Sequence, residues 1–204
     1  ILHTKMYLGR STSRLEKIAM GFDLHGEGPF NPPKEEEDIW KNKNFEKREQ
    51  YFTELRKYKR DNPGYYFQNS VWFWRPLWNL ITNLCEDILT LQDIEGGMYN
   101  DFHLIGKAKS KRIAKRLSDS MKKGDVQKWA EEREQHLEDL PLVECNICDG
   151  KGYRNLNDSK VSRVCNGCQG KKVRPHFDHH YVFELTNVER FIKFCKHSGG
   201  FRIG

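Results

Sequence analysis

The chain has 204 residues, of which 37% are hydrophobic, 31% charged and 12% aromatic, and it carries a net charge of +6. That length suits one main domain with a small appendage. No run approaches the roughly 18 apolar residues of a membrane span, and no apolar stretch behind a basic start resembles a signal peptide, so a soluble, cytoplasmic protein is expected.

Residues 1–19 are read as an N-terminal extension ahead of Met20. Phe22 and Leu24 alternate as in a strand, and Gly26, Gly28, Pro29, Pro32 and Pro33 then break any regular element. From Lys34 the chain is charged, starting with the acidic run Glu35, Glu36, Glu37 and Asp38. Tyr51, Phe52, Leu55 and Tyr58 recur at helical spacing, which predicts an exposed helix reaching Asn62, where Pro63 and Gly64 stop it.

The densest apolar block follows. A strand through Val71 and Phe73 is predicted to enter a helix whose first turn holds Pro76 and whose buried face carries Leu77, Leu80, Ile81, Leu84 and Ile88. Residues 96–103 read as a glycine-led loop. A helix over 104–123 then buries Ile113, Leu117 and Met121.

Gly124 separates that helix from a second over 125–140, with Val126, Trp129, Leu137 and Leu140 inward and Glu131, Glu132, Glu134, Glu138 and Asp139 outward. The two form a hairpin with one basic and one acidic arm. Near the C-terminus YVFEL at 181–185 reads as a strand, and Thr186 with Glu189 has capping-box spacing ahead of a face made by Val188, Phe191, Ile192 and Cys195. Gly199 and Gly200 end this helix.

The strongest chemical signal lies between these helices. Cys145-Asn-Ile-Cys148 and Cys165-Asn-Gly-Cys168 have the spacing of two thiolate knuckles that close one tetrahedral four-cysteine zinc site. Gly150 and Gly170 follow the knuckles at the same offset, where a positive φ turns the backbone back toward the sulfurs. A closed shell of four thiolates leaves no position for a catalytic water. The expected fold is therefore α+β and helix-dominated, with a zinc-ribbon or knuckle module. Residues 20–140 form the main domain, 141–175 the zinc module and 176–204 a C-terminal strand and helix packing back on the main domain.

Two basic groups are candidate nucleic-acid contacts: Lys107, Lys109, Lys111, Arg112, Lys115 and Arg116 on one helix, and Arg154, Lys171 and Lys172 beside the cysteines, joined by Lys151, Lys160, Arg163 and Arg174. The acidic helix next in sequence could absorb the first group. Tyr153 could stack on a base. A small-ligand pocket could instead draw on Asp23, His25, Trp74, Arg75, Asn100 and Asp101, with Trp72 and Trp78 as cage or core. His176, Asp178, His179 and His180 form a compact group with metal-binding potential, and Cys85 and Cys195 fall on buried faces as small hydrophobes. No Walker A loop, dinucleotide fingerprint, Gly-x-Ser-x-Gly elbow or His-Glu-x-x-His is present.

The runs CNICDGKG and CNGCQGKK resemble the CxxCxGxG motif in the cysteine-rich region of J-domain chaperones, with Lys172 in place of the last glycine. Those chaperones carry four motifs and two zinc ions, whereas this chain has two motifs, enough for one site, and no His-Pro-Asp tripeptide. MGFDLHG at 20–26, YYFQNSVWFWRPLW at 65–78, the cysteine pairs and SGGFRI at 198–203 together resemble a family of small uncharacterised proteins of bacteriophages and bacteria that carries MGxDxxG and FxNxVWxWRPLW motifs. The resemblance implies a phage or mobile-element setting inside a bacterium and no particular activity. The expected function is a zinc-stabilised, non-enzymatic binding protein acting on nucleic acid or on a host or phage protein.

Overall fold

The computed structural model of the chain describes residues 21–34, 39, 44–155 and 162–204. The expected extension at 1–19, Met20, the acidic run at 35–38 and Lys160 lie outside these residues. In chain order the elements are β1 (Gly21–Gly26), α1 (Phe45–Asp61), β2 (Tyr66–Ser70), α2 (Val71–Leu84), α3 (Leu91–Gly96), β3 (His103–Gly106), α4 (Lys107–Lys123), α5 (Asp125–Glu138), β4 (Val143–Glu144), β5 (Tyr153–Asn155), β6 (Ser162–Val164), β7 (Val173–Arg174), α6 (Leu185–His197) and β8 (Gly200–Ile203). The architecture is α+β with helix dominating. No helix among the described residues is long and apolar enough to cross a membrane.

Four strands form an antiparallel sheet in the order β2-β1-β8-β3. Strand alternation sends Phe22, Leu24, Phe67, Ile105, Phe201 and Ile203 to one face, where they join the buried sides of α2, α4 and α6 in one core. The other face carries Asp23, His25, Gln68, Leu104 and Arg202, all at least partly exposed. Helices α4 and α5 form the expected hairpin about Gly124, whose φ of 81° is the left-handed value a helix stop favours. Ile113, Leu117 and Val126 are buried as predicted, with Met121 and Trp129 packed at the core margin.

The helix behind Trp72 differs from expectation. It begins at Val71, so Pro76 is interior rather than in the first turn, and the strand is β2 at 66–70 instead of Val71 to Phe73. Proline has no N–H for the carbonyl four residues back, a loss that normally breaks a helix. Here the Trp72 carbonyl accepts the Val182 N–H at 3.0 Å, so it does not stay unpaired.

That bond also explains why 181–185 is not a strand. The segment has no strand neighbour among the described residues. It is held by Val182 to Trp72, by the Arg133 guanidinium donating to the Tyr181 carbonyl at 2.7 Å, and by Phe183 against Trp129 at 4.7 Å between ring centroids. The capping box does not form either, because α6 starts at Leu185 with Glu184 as its cap and Thr186 already inside the helix. Its expected buried face at Val188, Phe191, Ile192 and Cys195 is present.

Short elements that carry no strong local pattern complete the fold. The predicted start of α4 at residue 104 is instead β3, and SGGFRI supplies β8. The unpredicted α3 is capped at Thr90, whose hydroxyl accepts the Asp93 N–H while the Asp93 carboxylate accepts the Thr90 N–H. The carbonyls of Ile94 and Gly97 accept the indole N–H groups of Trp78 at 3.0 Å and Trp74 at 2.7 Å, which satisfies two polar atoms in the middle of the core.

Asp93 then ties three elements together. It is buried, and its carboxylate also meets His103 of β3 at 3.0 Å and the Lys109 ammonium of α4. Burial alone would raise its pKa, but the bonds from Lys109, Thr90 and His103 outweigh burial and hold it well below the usual carboxylate range. A depressed carboxylate stabilises the fold above the unfolded value near about pH 4, and that contribution disappears as pH falls toward the folded value. Asp93→Ala should destabilise the chain by about 3 kcal/mol in denaturant titrations at pH 7. The gap between wild type and variant should narrow as the titration is repeated below about pH 4.

Candidate metal centre

Cys145, Cys148, Cys165 and Cys168 are all buried, and their four sulfurs lie within 4.8 Å of one another. The Cys145 and Cys165 sulfurs are 3.9 Å apart and those of Cys148 and Cys168 are 3.7 Å apart. A tetrahedral shell with metal–sulfur bonds of about 2.3 Å has sulfur–sulfur edges of about 3.8 Å, so the four side chains fit a single ion. A disulfide needs about 2.05 Å between sulfurs, and all six cysteines are free thiols.

The backbone explains how two short motifs make one site. The strand before each knuckle pairs with the strand after the other: β4 with β7, and β5 with β6. The Cys145 N–H donates to the Lys172 carbonyl at 2.8 Å, and the Cys165 N–H donates to the Gly152 carbonyl at 2.9 Å. Each accepting residue stands four positions beyond the second cysteine of its own knuckle, so the halves are related by an approximate two-fold.

The expected positive φ at Gly150 and Gly170 is present, at 64° and 84°. Their neighbours Asp149 and Gln169 are left-handed as well, at 47° and 51°. The turn brings the Gly152 N–H to 3.3 Å from the Cys148 sulfur, the kind of contact that favours a thiolate.

Four crowded thiols cannot titrate alike. Burial pushes Cys148 up. At Cys165 burial also raises the pKa, but N–H groups of Cys168 and Gly167 outweigh it and bring the thiol down. The two remaining cysteines take no part: burial pushes Cys85 up to about 11 and raises Cys195 further, as suits inert core thiols. No second group of three or more His, Cys, Asp or Glu side chains is placed for a metal among the described residues. His176 is instead held locally, its ring nitrogen 3.3 Å from the Asp178 N–H.

The two basic groups differ in how their charges are used. On α4, Lys109 is bound to Asp93, Arg116 grips Asp87 with two bonds of 2.8 and 2.9 Å, Arg112 lies 3.6 Å from Asp87, and Lys115 pairs with Asp119. Lys107 and Lys111 have no carboxylate partner among the described residues. The acidic α5, the alternative sink for these charges, supplies none of the partners. Around the cysteines, Lys151, Arg154, Arg163, Lys171, Lys172 and Arg174 have no carboxylate partner among the described residues, and Tyr153 is exposed.

The six-residue pocket is not assembled as expected. Trp74 is fully buried, stacked between Phe22 and Trp78 at 5.3 Å from each. Arg75 turns to the Met98 sulfur at 3.8 Å, the His25 ring lies tilted against Tyr66 and Asp101 accepts the His103 N–H. Asp23 and Asn100 do come together, lining an open groove of about 690 Å³ with Gln68, Asn69, Ser70 and Phe73. Reading 66–70 as a strand would have put Gln68 and Ser70 on one face, and the pairing with β1 then sets Gln68 opposite Asp23. The Tyr66 hydroxyl donates to Asp23, and burial first and Asp23 second raise the Tyr66 pKa. No family model, curated protein or solved structure matches the chain.

Among the described residues of 141–175, the buried ones are the four cysteines and Gly152, and none belongs to the main core. Titration with a divalent thiophilic ion should therefore saturate at one equivalent per chain. A chelator or Cys165→Ser should abolish the ordered signals of 143–174 in an amide NMR spectrum while those of α2, α4 and α6 persist.

Proposed function

We propose that this chain is a zinc-stabilised, non-enzymatic binding protein whose cysteine module engages nucleic acid, in the setting of a phage or mobile element within a bacterial cytoplasm. Zinc is the metal that suits four thiolates in a tetrahedral shell, and a shell closed in this way holds the polypeptide without exposing a reactive coordination position.

The observation that carries the reading is the contrast between the two basic groups. Four of the six cations at 107–116 of α4 are bound to carboxylates, so their charge is largely matched within the fold. Those of the cysteine module face no carboxylate among the described residues and remain available to phosphates. The nucleic-acid surface is thereby assigned to the module, and the 107–116 helix drops to Lys107 and Lys111 at most.

Binding of short DNA and RNA strands by the zinc-loaded protein should weaken steeply as salt is raised. Reversing Lys171 and Lys172 should reduce affinity about tenfold, while reversing Lys111 and Lys115 should leave it within about twofold. No binding at low salt would rule the reading out in favour of a protein partner.

A second reading has one observation in its favour. The Asn100 side-chain oxygen is buried without a partner, next to Asp23 in the groove. A small ligand with hydrogen-bond donors would satisfy it. If this groove is the functional site, Asp23→Asn should abolish a ligand-induced thermal shift found by screening amines and nucleosides, and absence of any such shift would dispose of it.

A further inference from the structure

Three cations of the cysteine module stand at positions where they cost the fold stability. Arg154 of β5 and Arg163 of β6 are direct cross-strand partners, the middle one of the three pairs among the described residues. Like charges placed opposite each other destabilise a strand pair, and here no carboxylate lies between them among the described residues. Among the described residues the Arg154 guanidinium makes one polar contact, a 3.5 Å approach to the Asn166 side-chain oxygen.

Lys172 is the third. By the two-fold relation of the knuckles it is the counterpart of Gly152, and both adopt left-handed backbone, with φ of 67° and 83°. Glycine takes that conformation freely, while a residue with a β-carbon is strained in it. The chain thus keeps a lysine where its own other half shows that glycine suffices. The Lys172 side chain lies against Gly152, whose added β-carbon would sit 3.3 Å from the Lys172 Cγ, so its stem starts beside the residue that leads into β5 and Arg154.

Local cost retained at three cations of one small module, all exposed and none paired to a carboxylate among the described residues, is what a site for an external anion requires. We infer that Arg154, Arg163 and Lys172 form a phosphate clamp in which the two guanidinium groups straddle one phosphate and the Lys172 ammonium closes on it. Guanidinium forks suit phosphate oxygens, and an anion between them turns the cross-strand repulsion into attraction. The inference deepens the nucleic-acid reading and rests on it for the identity of the ligand, which is a backbone phosphodiester.

A second demand for positive charge exists nearby, because four thiolates and one Zn²⁺ carry a net negative charge. The two explanations predict opposite effects of removing the cations. If they serve a bound phosphate, Lys172→Gly and Arg163→Thr relieve cost in the free protein. Metal binding is coupled to folding of the module, so apparent zinc affinity should rise by about threefold to fivefold in chelator competition. If they neutralise the metal shell, zinc affinity should fall.

The same variants, with Arg154→Gln and Arg163→Gln combined, are titrated with a short single-stranded oligonucleotide and separately with inorganic tripolyphosphate. The clamp predicts a loss of about tenfold or more for both probes in the double variant, and a salt-dependence slope smaller by about 0.7 for the strand, as expected for the one phosphate released. Unchanged affinity of the double variant for a strand that the wild type binds overturns the clamp and leaves the nucleic-acid reading standing. Binding of tripolyphosphate but not of strands, lost in the double variant, keeps the clamp and overturns that reading. Binding of neither probe, or a fall in zinc affinity for Lys172→Gly and Arg163→Thr, overturns the clamp.

Discussion

The cysteine module depends on the meeting of four sulfurs, because it has nothing else to fold around. Its four short strands form two separate pairs, and the exposed Leu142, Ile147, Tyr153 and Val164 show that its apolar side chains are not gathered into a core. Apolar burial stabilises an ordinary small domain at about 25 cal/mol per Å², and that term is nearly missing here. A structural ion contributes on the order of 10–16 kcal/mol in zinc-finger peptides, enough to replace it. Freed from building a core, the remaining side chains of the module can be selected for what they present to the outside. That freedom explains how unpaired cations and left-handed non-glycine residues accumulate on one small surface.

The main domain is built on the opposite principle. Its aromatic core closes over Trp74 and Trp78, which leaves no room for a cage, and its polar groups are matched almost one for one inside it. Indole N–H groups are met by carbonyls next to α3, Asp93 gathers Thr90, His103 and Lys109, and the carbonyl orphaned by Pro76 is met by Val182. The last of these bonds joins α2 to the chain leaving the cysteine module. Trp72 adds ring contacts to Phe177, His180 and Tyr181 on the same segment, so the module's exit is fixed to a helix whose other face lies in the core.

What the sequence made legible follows from range. Patterns that repeat within one element were readable: the alternation of Phe22 and Leu24, the face Leu77, Leu80 and Ile81, the α4–α5 hairpin and the α6 face. The cysteine spacing was readable because ligand geometry constrains it directly. The sheet was not, since β8 has four residues and its partners in β1 lie about 175 positions away, with His25 opposite Arg202. Pro76 misled for a similar reason: its local rule is correct, and only a hydrogen bond from Val182 sets it aside. The clamp residues were visible as basic letters, but the opposition of Arg154 to Arg163 and the equivalence of Lys172 with Gly152 exist only in register and backbone angle.

X-ray absorption at the zinc edge of the purified chain tests the central claim most directly. The account predicts one zinc per chain surrounded by four sulfur atoms at about 2.3 Å, with no nitrogen or oxygen in the shell. A chain that purifies without metal and with its cysteines in disulfides, or a shell containing oxygen from water, would contradict it.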